Sequence, residues 1–182
     1  IAVALNENET ALADARRAVE LSPQSAAATI ALSYALQANL QLEPARTALL
    51  GLVDQQPEDA LAWARLAELH LMLGDRREAN AAAERAVALQ PGLGRTQSVL
   101  GFTALAAIDT ARAQAAFEQA VALDSDDPMP RLGLGLAKIR QGRLDEGRAD
   151  LEAAVALDSN NALLRAYLGK AYFEEKRGPL DA

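Results

Sequence analysis

One spacing governs this sequence: similar residues return every 34 positions. A column of leucines runs Leu32, Leu66, Leu100, Leu134, Leu168, each followed by a small residue (Ser33, Ala67, Gly101, Gly135, Gly169). A second column is Ala11, Ala45, Ala79, Ala113, Gly147. A third is Ala18, Ala86, Ala120 and Ala154, with Leu52 taking the intermediate place. A period of this length marks a repeat array, in which each unit buries its apolar face by stacking on its neighbours.

The units are helical. Alanine (42 copies) and leucine (30 copies) dominate the 182 residues, and both are strong helix formers. The seven aromatic residues and the scarcity of β-branched windows argue against a sheet. Small residues on a helix face let a neighbouring helix approach, and the adjoining leucines fill the space around the contact. Each unit divides into two helices. In the stretch Ala60 to Leu93 the pattern predicts helices over Ala60–Leu73 and Arg76–Leu89, with Gly74 as the stop, Asp75 opening the second helix, and Pro91 and Gly92 ending it. Pro23, Pro57 and Pro91 punctuate helix ends at the same interval, and Ser125 and Ser159 continue the series. Gly142 repeats Gly74, whereas Leu40 and Ile108 stand where that glycine is expected. A distorted or tighter turn is expected at Ile108.

These columns resemble the tetratricopeptide repeat family. Trp63, Leu66, Ala67, Gly74, Asp75, Ala79, Ala86 and Pro91 follow its pattern, as do Leu134, Gly135, Gly142, Leu144, Glu146, Ala154 and Leu157. The resemblance implies an all-α, right-handed superhelical solenoid of antiparallel helix pairs with a 34-residue period. One solenoid is expected over 1–182: a partial repeat at 1–25, whole repeats at 26–59, 60–93, 94–127 and 128–161, and a partial repeat at 162–182. Within the partial repeats, 1–5 read as the end of one helix and 178–182 as the start of another. The missing polar cap points to a fragment of a longer array, and the exposed ends favour end-to-end pairing.

Composition removes several classes of function. The net charge is -7 with no basic stripe, which disfavours a nucleic-acid partner. Without cysteine there is no disulfide scaffold, thiol nucleophile or cysteine-ligated zinc. No apolar run approaches a membrane span, so direct insertion is not expected. The single histidine, His70, reads as a packing residue, since Glu68 lies on a different helical face and no further ligand or nucleophile is nominated. Asp124, Ser125, Asp126 and Asp127 lack the ligand spacing of a calcium loop and read as helix caps, as do Asp158, Ser159 and Asn160. No catalytic, cofactor or metal residue is assigned. The arginine-rich, lysine-poor composition points to a bacterial source, with cytoplasm and periplasm both open.

The resemblance also implies that the first helix of each unit lines a concave face. Residues so placed are Ile30, Tyr34, Glu68 and Leu71, then Phe102, Leu105, Leu132, Leu136 and Ile139. Arg65 and Arg140 bound this apolar strip. Relatives that grip a terminal carboxylate use lysine and asparagine in two of these columns, and this sequence lacks that arrangement. Three readings stay open: a docking groove for an apolar helix or extended segment, side chains buried by tight curvature, or self-association. The function expected is a noncatalytic protein–protein interaction scaffold without a cofactor, holding a protein or peptide of unknown identity. The alternatives are an oligomerising spacer in an envelope or secretion assembly, and a recruiting arm of an enzyme encoded outside these residues.

Overall fold

A computed structural model of the chain describes residues 7–177, with side chains through residue 174. The helix end expected at 1–5 and the helix start expected at 178–182 lie outside the described residues. Ten helices and no strand are found among the described residues. The chain divides into two compact units, one up to Pro91 and one from Gly92.

The first unit contains α1 (Asn8–Leu21), α2 (Ala26–Ala38), α3 (Leu42–Gln55), α4 (Ala60–Leu73) and α5 (Arg76–Leu89). Each helix packs on its sequence neighbours, and α2 also touches α4. The core gathers Leu12, Leu36, Leu49, Leu66 and Leu69 around fully buried Ala45 and Ala62. Trp63 packs against this cluster and donates its indole N–H to the Pro57 carbonyl at 3.0 Å.

The second unit contains α6 (Gly94–Ala106), α7 (Thr110–Leu123), α8 (Pro128–Arg140), α9 (Leu144–Leu157) and α10 (Ala162–Arg177). The same neighbour packing holds, with α6 also meeting α8. Its glycines are packing devices. A Cβ on Gly101 would stand 2.6 Å from Phe117, and one on Gly133 would stand 2.2 Å from the same ring. Phe117 is thus wedged between α6 and α8, wholly buried. Gly135 and Gly147 bring α8 and α9 into backbone contact, since a Cβ on either would lie 2.7 or 2.6 Å from the other's carbonyl oxygen.

Helix starts recur at the expected interval, at Ala26 and Ala60 and then at Gly94, Pro128 and Ala162. The turn within each pair is built one way in all four cases. Backbone N–H groups of Gln41, Asp75, Asp109 and Arg143 donate to the carbonyls of Leu36, His70, Ala104 and Lys138, at 2.8–3.0 Å. This six-to-one bond requires the preceding residue to be left-handed. Gly74 and Gly142 comply at φ 88° and 82°, and Leu40 and Ile108 comply at 59° and 65°. The distorted turn expected at Ile108 is therefore corrected. Isoleucine adopts the glycine conformation, and α7 begins 34 residues after α5.

The caps are divided among different residues. Ser25 and Asp59 accept from the amides of Ala28 and Ala62. Asp127 accepts from Met129, while Asp124 accepts from the amides of Asp126 and Asp127, so the acidic cluster caps α8. Asn161 caps α10 through the amides of Leu163 and Leu164. Asp75 stands at the α5 N-cap position without a side-chain cap bond. Its carboxylate instead accepts from Arg46 at 2.9 Å and lies 3.4 Å from His70 Nδ1.

Candidate functional site

In the first unit the residues singled out in the sequence lie on α2 (Ile30, Tyr34) and α4 (Arg65, Glu68, Leu71). Ile30 and Leu71 are half-buried, and Tyr34 is exposed. Arg65 is only 3 % exposed, and each nitrogen of its guanidinium has a partner. Nε donates to Ser33 Oγ at 2.9 Å. One Nη2 bond runs to Gln37 Oε1 at 2.6 Å and a longer one to the Ser33 carbonyl at 3.3 Å. Nη1 donates to Glu68 Oε2 at 2.9 Å. Its face covers the Tyr34 ring, and the Tyr34 hydroxyl reaches the same Glu68 oxygen at 3.5 Å. A buried arginine is tolerable only when its donors are paired in this way. The result is a fixed Tyr34–Glu68 pair at the surface of the α2/α4 face.

In the second unit the residues lie on α6 (Phe102, Leu105) and α8 (Leu132, Leu136, Ile139, Arg140). Leu105 and Leu132 are buried and act in packing: Leu132 belongs to a cluster with Leu151 and Leu164. Phe102 is half-buried, edge-to-face against Phe117 with ring centres 4.9 Å apart. Leu136 and Ile139 are half-buried and open onto a cleft between α8 and α10, of about 320 Å³. Arg140 lies at its edge and donates at 2.6 Å to the Leu105 carbonyl at the end of α6, which also accepts from the Ile108 amide at 3.2 Å.

The cleft also contains Tyr167, Lys170, Ala171 and Glu174 of α10. Lys170 pairs with Glu174 at 3.5 Å. Two cations and one carboxylate thus rim an apolar floor. The sequence reading did not assign Tyr167, Ala171 and Glu174 to the strip; the available signal was that Arg140 and Glu174 are 34 residues apart. No group of acidic or histidine side chains suited to a metal occurs among the described residues.

Comparison with known proteins agrees with this architecture. The family model described as "Tetratricopeptide repeat" matches residues 100–162 and 132–182. Residues 100–182 thus carry tetratricopeptide repeats, and the helices of the described residues have the fold of a tetratricopeptide-repeat solenoid. It superposes on a thermophilic TPR protein of Thermus thermophilus with a TM-score of 0.83 at 24 % identity, covering 93 % of each chain. The Cut9–Hcn1 structure gives the same TM-score at 19 % identity over 97 % of this chain, which spans 35 % of that one. YrrB, described as a TPR protein with an unusual peptide-binding site, gives 0.60 at 20 % identity over 91 % of this chain and 85 % of its own. No curated protein matches the sequence.

Proposed function

We propose that this chain is a noncatalytic protein–protein interaction scaffold, and that its second unit docks a peptide or partner helix in the cleft between α8 and α10. The observation that carries this reading is the cleft itself, with Leu136, Ile139 and Ala171 beside Arg140 and Lys170. Apolar burial supplies the affinity, and the cationic rim selects a segment with a carboxylate next to an aliphatic side chain. In the first unit the Tyr34–Glu68 pair, held by Arg65, offers a second polar contact. Peptide binding by YrrB and by the first TPR of RPAP3, solved with an HSP90 peptide, supports a peptide as the ligand class.

The test is selection of peptides from a random display library on the intact protein. The selected sequences are expected to pair an acidic with an aliphatic residue. Their affinity is expected to fall at least about tenfold, or 1.4 kcal/mol, for Leu136→Asp combined with Lys170→Glu. Circular dichroism reports whether that variant keeps its helices. Peptides that bind the folded variant as tightly as the parent protein would remove the cleft from consideration.

A further inference from the structure

We infer that Arg140 is the carboxylate receptor of the cleft between α8 and α10, held in place for that task by the backbone carbonyl of Leu105. This rests on the docking reading above and names the group that selects the ligand. Arg140 stands at the end of α8 and reaches across to the end of α6, where its Nη1 donates to the Leu105 oxygen at 2.6 Å. A charge-assisted bond of this kind is strong enough to fix the direction of the guanidinium. Its Nε and Nη2 donate to no other group among the described residues, and no carboxylate there pairs with it. Other cations of the same unit are engaged: Lys138 with Asp150, Arg143 with Glu146 and Arg148 with Glu152. Lys170, the second cation of the cleft, pairs with Glu174 at 3.5 Å. One cation of the cleft is therefore already matched, and the other is oriented with donors to spare.

Charge and shape define what this group takes. Arg140 and Lys170 against Glu174 leave a single net positive charge in the cleft. A carboxylate balances that charge, whereas the near-dianion of a phosphate exceeds it. A guanidinium also presents its N–H groups as a planar fork that both oxygens of a carboxylate meet at once, which an ammonium cannot do. Leu136 lies one helical turn before Arg140, so an aliphatic group seated on Leu136 brings a neighbouring carboxylate to the fork. The half-buried surroundings of Leu136 and Ile139 strengthen the pair by lowering the local dielectric. An Asp or Glu side chain and the terminal carboxylate of a peptide offer the same two oxygens, and the experiment tells them apart. Arg140, Leu105 and Leu136, which define the receptor, all belong to α6 and α8, in the interior of the repeat series.

The probe is the tightest acidic peptide from the display selection, made as selected, with its acidic side chains replaced by amides, and with its chain end amidated. Titration calorimetry measures each form on the parent protein and on Arg140→Gln. That variant keeps its fold, because the Leu105 oxygen still accepts the Ile108 amide at 3.2 Å, and circular dichroism checks it. On the parent, one amide form is expected to bind about tenfold more weakly than the acid, and which one it is identifies the source of the carboxylate. Arg140→Gln is expected to bind the acid about tenfold more weakly than the parent does, and the weakened amide form equally well. Loss of all forms alike would show a structural role only and overturns the inference. Arg140→Lys is expected to recover part of the loss, since it restores the charge without the fork, and Lys170→Gln to lose less than Arg140→Gln. An Arg140→Gln protein that still prefers the acid as the parent does overturns the assignment, as does a selection that returns no acidic peptide. Leu136→Asp/Lys170→Glu separates the two ideas. If it loses the peptide while Arg140→Gln keeps the preference, the cleft stands and the receptor assignment falls; if it binds like the parent, the docking reading itself falls.

Discussion

The guanidinium carbon of Arg65 lies 3.6 Å from the centre of the Tyr34 ring. The same group holds Ser33 and Gln37 of α2 and Glu68 of its own helix by hydrogen bonds, so one arginine ties α2 to α4 through polar contacts. Arg65→Met keeps the volume and removes every donor. Its cost is expected to be about 2–3 kcal/mol, because buried Ser33 and half-buried Gln37 lose the donor they accept from. Tyr34→Leu removes the stacked face and the long hydroxyl contact to Glu68, and is expected to cost about 1 kcal/mol. Urea unfolding of the two variants checks both the sizes and the order.

Leu40 and Ile108 combine a left-handed backbone with 89 % and 75 % exposure. Their side chains therefore offset little of the strain. Ile108→Gly is expected to stabilise the protein by about 1 kcal/mol, the balance between relief of a β-branched left-handed residue and the extra freedom of glycine in the unfolded chain. Leu40→Gly is expected to give a smaller gain, since leucine is not β-branched. Melting temperatures that fall for both variants would contradict this account of the turns.

Glycines of this chain separate cleanly by what stands over them. Gly133→Ala places a methyl 2.2 Å from the Phe117 ring and is expected to cost about 1–3 kcal/mol by overpacking. Gly169→Ala meets open space and is expected to gain up to about 1 kcal/mol from helix propensity alone. Thermal denaturation of the pair gives the comparison.

Tyr172 donates to Glu152 at 2.6 Å, and Arg148 donates to the same oxygen at 2.8 Å. The tyrosine bond, followed by that of Arg148, holds the Glu152 carboxyl below its ordinary range. Its contribution to stability is present above the ordinary carboxylate range and is lost as pH falls through the lowered value. Tyr172 is raised above its ordinary value, chiefly by the same bond. Its contribution is present below pH about 10 and disappears as pH climbs through the raised value. In Tyr172→Phe the Glu152 titration, followed by NMR, is expected to move upward; an unmoved titration would show that the hydrogen bond does not set it.

The helices were legible because packing imposes its own spacing: leucine and small residues must recur where neighbouring helices cross. The tolerance of Ile108 was not, because the six-to-one turn bond and the packed helices on either side hold the backbone whatever residue occupies the tip. The strip on the inner helices was legible as a set of columns but not as a surface. Leu132 and Leu136 are one helical turn apart, yet one is buried and the other opens on the cleft. That difference depends on how α10 lies over α8, which no local pattern records. The Arg65 cluster escaped for a similar reason, since hydrogen bonds between residues 28 and 32 positions apart leave no periodic trace.

The wedge formed by Phe117 has a mechanical consequence. A flat ring seated between two glycine notches resists sliding of α6 and α8 along their axes, as a key resists motion in a slot. Under load, shear between these helices must first extract or rotate that ring, so α6, α7 and α8 yield together rather than one at a time.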